Sequence, residues 1–137
     1  MKPNSTMNPD LHVLVVDDQE PSRVLSKFAL MELGFKNVHE ATNGHEAMEY
    51  VAKAYQAGTP VELILSDHDM PEVDGFQFYR VLRETEICRD IPFMMVTSHS
   101  EPDLVAQMAL KGIQNFIIKP IDPKILGEKI VKMVMRG

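Results

Sequence analysis

Five aspartates fall in two tight groups along the 137-residue chain, Asp17 with Asp18 and Asp67 with Asp69 and Asp74. Each group directly follows a short apolar, β-rich run, and two further runs end at Thr97-Ser98 and at Lys119. If those runs are parallel strands of one sheet, their carboxyl ends bring all these side chains to one edge. Carboxylates gathered there repel strongly, since two unit charges about 4 Å apart interact by about 4 kcal/mol at an effective dielectric near ~20. A hard divalent cation offsets that repulsion. A few carboxylates, a backbone carbonyl and several waters suit Mg2+, which keeps part of its hydration and shares phosphate oxygens. Magnesium with a phosphoryl group is therefore the simplest occupant. Lys119 can pair with a phosphoryl oxygen as a point charge, and the Thr97 hydroxyl can donate a hydrogen bond to another. A carboxylate can itself be the nucleophile of phosphoryl transfer, where catalysis is largely positioning and charge neutralisation.

The elements that must position these residues are legible as punctuation. The continuous apolar run at 11–16 suits a strand buried on both faces, and 38–41, 61–66, 92–97 and 115–118 read as four further short strands. Between the first two, Val24, Leu25, Phe28, Ala29 and Met31 recur at helical spacing after Pro21, and Gly34 supplies a stop. Asn43 and Glu46 stand at capping-box spacing before a helix to about Ala57, and Asp74 with Gln77 does the same for a helix from Gly75 to about Glu86. A fourth helix is opened by Ser100 and closed by Gly112. Asp122-Pro123 starts the last one, with apolar positions Ile125, Leu126, Ile130, Val131 and Val134. Five strands alternating with five helices predict a three-layer α/β fold with a parallel sheet. Periodicity does not give the strand order, but ligand sites in open α/β sheets lie beyond the carboxyl ends of the strands, where that order reverses.

Length allows one domain, expected over 11–137 after a flexible lead-in at 1–10 that carries Pro3, Asn4, Asn8 and Pro9. No apolar run approaches a membrane span or a secretory signal, so a cytoplasmic protein with no membrane partner is expected. The single Cys88 agrees with that compartment and reads as a bystander thiol. A net charge of −6 without clustered Lys and Arg argues against nucleic acid.

Asp17-Asp18 after the first strand, Asp67-x-x-Met70-Pro71-x-x-Asp74-Gly75 after the third, Thr97-Ser98 after the fourth and Lys119-Pro120 after the fifth resemble, in order, the receiver domain of two-component response regulators. The ordered set spans nearly the whole chain. The resemblance implies a flavodoxin-like (βα)5 fold with sheet order 2-1-3-4-5, an order for which the chemotaxis member of the family is a standard illustration. It implies Asp67 as phosphoacceptor, Asp18 as a direct Mg2+ ligand, Asp17 as a ligand through water and Asp69 as one through its backbone carbonyl. Thr97 and Lys119 would grip the phosphoryl group, and Phe116 would be the switch aromatic that answers Thr97. The implied donor is a sensor histidine kinase, with a small acyl phosphate as substitute. Pairing specificity is expected on the first helix at Ser22, Arg23, Ser26 and Lys27.

The last helix reaches the end of the sequence, so a stand-alone receiver is expected, signalling by contact with another protein. That partner would be a flagellar motor switch, as in chemotaxis, or a phosphorelay protein. Such a protein is no enzyme beyond its own phosphorylation and dephosphorylation. A monomer is expected, with dimerisation on phosphorylation left open. Asp69 and His99 lie two residues after Asp67 and Thr97, and their pairing would tune the lifetime of the phosphoryl group. Asp74 reads as a helix cap, Met94, Met95, Met108, Met133 and Met135 as core filler, and His12, His39 and His45 as surface or strand-edge residues. Two other readings compete. A haloacid-dehalogenase-type phosphatase would use Asp67 and Asp69, although Asp17-Asp18 precedes Asp67 rather than following it. A degenerate receiver would act as a binding scaffold, although none of the acidic or Lys positions is missing.

Overall fold

The computed structural model describes residues 8–98 and 102–136. Strands β1 (His12–Val16), β2 (Asn37–Ala41), β3 (Leu63–Asp67), β4 (Phe93–Thr97) and β5 (Phe116–Ile118) alternate with helices α1 (Glu20–Glu32), α2 (Gly44–Gln56), α3 (Gly75–Glu84), α4 (Pro102–Leu110) and α5 (Pro123–Arg136). All four strand pairs are parallel, in the order β2-β1-β3-β4-β5. This is the flavodoxin-like arrangement, and the order reverses between β1 and β3.

Alternating strand residues feed two cores. Val13, Val15, Leu63, Leu65, Met94, Val96 and Ile117 pack with Ala29, Leu30, Leu126 and Ile130 from α1 and α5. Leu14, Val16, Ile64, Phe93 and Met95 pack with Ala47, Val51, Phe78, Leu82 and Met108 from α2, α3 and α4. Covering both faces is why β1, β3 and β4 read as apolar runs, whereas β2, at the sheet edge, carries His39 and Glu40 and buries only Ala41. Each fully buried Leu, Ile or Val contributes roughly 1.5–3 kcal/mol.

Local signals position the ends. Asp74 Oδ1 accepts the Gln77 N–H while Gln77 Oε1 accepts the Asp74 N–H, the expected box. Asn43 Oδ1 accepts from Glu46 N, but Glu46 reaches back to Thr42 N rather than to Asn43. Gly34 takes φ 102°, and the bonds Gly34 N to Met31 O and Phe35 N to Leu30 O close α1. The third helix stops earlier than expected, and Glu86–Cys88 forms a separate 3-10 turn after the extended Thr85. Residues 1–7 of the predicted lead-in lie outside the described residues. Of the rest, Pro9 O accepts from Lys36 N and Asp10 O from Asn37 Nδ2.

The first helix corrects its predicted apolar stripe. Ser26, Ala29 and Leu30 are buried and Leu33 is partly buried, whereas Leu25, Phe28 and Met31 are 61%, 59% and 50% exposed. Ser26 therefore cannot read a kinase. Arg23 and Lys27 both pair with Glu40, at 2.9 and 3.0 Å, with side chains 13% and 36% exposed. Cys88, Met94, Met95, Met108 and Met133 are buried, as expected of a bystander thiol and core filler. His12 and His39 stack on adjacent strands near the sheet edge, and His45 is exposed.

Candidate functional site: an acidic cleft at the carboxyl edge of the sheet

The β1–β3 register pairs Val16 with Ser66, which sets the next residues, Asp17 and Asp67, side by side. Asp67 is the last residue of β3 rather than the first of a loop, so its backbone is held in the sheet. Both carboxylates are buried, at 2% and 6% exposure. Asp18 joins them from the start of the β1–α1 turn, and one ligand atom from each of the three lies within 4.8 Å of the others. Lys119, just beyond β5, places its Nζ 3.1 Å from Asp67 Oδ1 and 3.3 Å from Asp17 Oδ2. Its backbone N–H donates to Thr97 O at 2.8 Å, which ties the ends of β4 and β5 together. The Lys119–Pro120 peptide is cis.

Neighbours hold the acids in place. Asp17 Oδ1 accepts from Gln19 N at 2.9 Å, and the Asp17 carbonyl accepts from Arg23 Nη1 at 2.9 Å. Asp18 Oδ2 accepts from Gln19 Nε2 at 3.3 Å, but Asp18 Oδ1 is buried without a hydrogen-bond partner among the described residues. A buried carboxylate oxygen left unpaired beside two other carboxylates is unfavourable. An all-oxygen donor set with that orphan fits a hard divalent cation.

Burial pushes the Asp67 carboxyl up from its ordinary value. The Lys119 hydrogen bond opposes this, while the charges of Asp17 and Asp18 reinforce it. For Lys119 burial acts downward, but the hydrogen bond and charge of Asp67, with those of Asp17, together leave its pKa raised. The ammonium therefore stays charged beside the acids.

Asp18, Gln19, Asp67 and Lys119 line a cleft of about 580 Å3 with Asp69, Met70, Pro71, Asp74 and Ser98. Asp74 borders it while capping α3, as expected. Asp69 is exposed at the mouth, its Oδ1 3.1 Å from Nδ1 of His68. His99, the partner expected from sequence, lies outside the described residues. Thr97 is buried at the end of β4, and Phe116 is half-buried opposite Met95 on the same alternation of the sheet as Thr97. The Lys129 ammonium lies 5.7 Å from the Phe116 ring centre.

Gly75, part of the motif quoted from the sequence, has a steric role that spacing did not show. A Cβ there would stand 2.7 Å from both the Asp67 carbonyl oxygen and Met95 Sδ, so α3 can approach the phosphoacceptor strand only with glycine at that position. Gly75 N donates to His68 O at 2.9 Å across this contact. Position directly after the Asp74 cap was the available signal. Gln19 and Arg23 were missed as anchors, and only their place in the first turn after β1 could have indicated them.

Residues 13–131 match the family model of the response regulator receiver domain. The chain is 32% identical over 120 residues to chemotaxis protein CheY1 of Helicobacter pylori, covering 88% of this chain and 94% of that protein. It is 30% identical over 126 residues to chemotaxis protein CheY of Pseudomonas aeruginosa, covering 92% and 98%. The structure superposes on chemotaxis protein CheY4 of Vibrio cholerae with a TM-score of 0.76 at 28% identity, over 90% of this chain and 98% of that one. With buried aspartates at the ends of β1 and β3, a lysine beyond β5 bridging them, and that match over nearly its whole length, the chain belongs to the response regulator receiver domain family.

Proposed function

We propose that this receiver takes a phosphoryl group on Asp67 from the phosphohistidine of a sensor histidine kinase and signals by a conformational change to a protein partner. The observation that carries this reading is the Lys119 ammonium bridging two buried carboxylates beside the unpaired Asp18 oxygen, a site charged for a phosphoryl group and a cation. An Asp67 carboxylate oxygen attacks phosphorus, the P–N bond to the donor imidazole breaks, and the imidazole nitrogen leaves with the electron pair. Lys119 would pair with a phosphoryl oxygen as a point charge, and the Thr97 hydroxyl would donate a hydrogen bond to another.

Asp18 and Asp67 would hold Mg2+ directly, with Asp17 through water and Asp69 through its carbonyl. When bound, the ion supplies positive charge against the phosphoryl oxygens. Thr97 and Phe116, on one sheet alternation, form the proposed relay from phosphorylation to the surface. Asp69 at the mouth is proposed, with His99, to set how long the acyl phosphate survives attack by water. Asp69→Asn should change its decay several-fold, and unchanged decay in both Asp69→Asn and His99→Ala would remove that role.

The chemotaxis relatives favour a motility partner such as a motor switch, with a phosphorelay protein as the other candidate. A haloacid-dehalogenase-type phosphatase is not favoured, because the acidic pair precedes the nucleophile and the whole cleft follows receiver order. Intact mass after incubation with magnesium and acetyl phosphate tests the central claim. A phosphoryl-sized gain that requires magnesium and is absent from Asp67→Ala is expected. No gain with either that donor or a phosphorylated histidine kinase would leave only a scaffold role.

A further inference from the structure

On a chain with 20 acidic and 14 basic residues, the groove between α3 and the turn after α4 at Lys111 is an exception. It is an open depression of about 380 Å3 whose walls include Phe76, Tyr79, Arg80, Arg83 and Lys111. The Arg83 guanidinium lies over the Tyr79 ring at 4.7 Å, and the Lys111 ammonium lies 5.4 Å from the Phe76 ring centre. Arg80 is paired with Glu84 at 3.4 Å. Among the described residues neither Arg83 nor Lys111 forms an ion pair, and Arg83 Nη1 is shielded from solvent without a hydrogen-bond partner. A shielded guanidinium donor left unpaired is a standing cost that an incoming acceptor would remove.

We propose that this groove docks a short acidic segment of a partner protein, its carboxylates pairing with Arg83 and Lys111 and its apolar side chains lying along Phe76 and Tyr79. Charge complementarity selects the occupant. A flat base would need an open ring to stack on, yet each ring carries one of the protein's own cations, and the ring edges are already used. Phe76 meets His68 at 5.1 Å and Tyr79 meets Phe93 at 5.0 Å, both edge-on, and the Tyr79 hydroxyl donates to Gly112 O at 3.0 Å. Carboxylates ask only for the outward sides of the cations, and a guanidinium offers them a fork of parallel donors. The groove is separate from the acidic cleft and needs no phosphoryl group.

The test is a titration of the isotopically labelled, unphosphorylated protein with a pool of short peptides that alternate Glu or Asp with Leu, Phe or Tyr, followed by amide NMR. Shifts gathered on 76–83 and at Lys111 are expected, with binding weakened by about tenfold in Lys111→Gln and further in Arg83→Gln with Lys111→Gln. Both side chains lie at the surface of the groove, and the unshifted amides of each variant report that the fold is intact. The proposal is overturned by no shifts, by shifts confined to other surfaces, by equal affinity of parent and double variant, or by adenosine monophosphate binding the groove more tightly than the peptides. None of these outcomes bears on phosphorylation of Asp67.

Discussion

The Lys119 ammonium lies 3.1 Å from Asp67 Oδ1 and 3.3 Å from Asp17 Oδ2, so one cation neutralises the carboxyl ends of two adjacent strands. Its side chain keeps 20% exposure, so its removal should cost less than the roughly 3–5 kcal/mol of a fully buried broken pair. Lys119→Met is expected to lower unfolding stability by about 1–3 kcal/mol in metal-free buffer. Millimolar magnesium should recover part of the loss, because a bound cation replaces the missing charge. Urea midpoints of parent and variant, with and without magnesium, read this directly. Coincident midpoints in metal-free buffer would show that the bridge contributes nothing.

Asp18 should behave in the opposite sense. Its Oδ1 is buried and unpaired beside Asp17 and Asp67, so the charge is held for a ligand at the expense of the free protein. Asp18→Asn removes one of three like charges and is expected to raise metal-free stability by about 1 kcal/mol. It should also abolish the rise in Tm that magnesium gives the parent. Differential scanning calorimetry of both proteins, titrated with magnesium chloride, decides it. A parent-sized response in the variant would mean that Asp18 is no ligand.

Gly75→Ala tests whether α3 is docked against the phosphoacceptor strand by steric necessity. The added methyl would meet the Asp67 carbonyl oxygen and Met95 Sδ at 2.7 Å and the His68 Cα at 3.0 Å. Met95 can turn aside, but the backbone atoms of β3 cannot move without shifting Asp67. A loss of about 1–3 kcal/mol is expected, with slower phosphorylation by acetyl phosphate. Gly44→Ala is the control, since its methyl would meet the Val73 side chain at 3.0 Å and no backbone. Chemical denaturation of the pair should show the larger loss at Gly75.

What sequence could and could not give follows the physics of each element. Asp17, Asp67, Thr97 and Lys119 were legible because a strand end is marked by an abrupt change from apolar to polar, and a parallel sheet brings such ends together. The Asp74–Gln77 box was legible because capping is a local bond between residues three apart. The buried face of α1 was not. Its core stripe runs through Ser26, Ala29, Leu30 and Leu33, and the apolar residues at Leu25, Phe28 and Met31 that point outward drew the pattern to the wrong side. Strand order came from resemblance, since β1, β3 and β4 are alike in being buried on both faces and pairing leaves no period in the sequence. The crowding at Gly75 depends on how closely a helix and a strand approach, which no spacing reports.

The sheet edge away from the cleft predicts a pH dependence independent of phosphorylation. His39 on β2 has its pKa lowered from 6.5, first by burial and then by the charges of His12 and Lys27. Its Nε2 lies 3.3 Å from His12 Nδ1, and the His39 ring packs 5.0 Å from that of Tyr50. The unfolded chain therefore takes up the His39 proton at a higher pH than the folded one. Stability is fully present above 6.5 and is lost as pH falls through the lowered folded value. Glu40, lowered from 4.5 first by its hydrogen bond to Lys27 and then by that to Arg23, has the same sign in a lower window, with stability lost as pH falls through its own depressed value. Urea unfolding at a series of pH values should show a decline beginning near 6.5 that His39→Gln flattens, and a second decline below 4.5 that His39→Gln leaves in place. A variant curve parallel to the parent across the upper window would show that His39 titrates alike in the folded and unfolded chains.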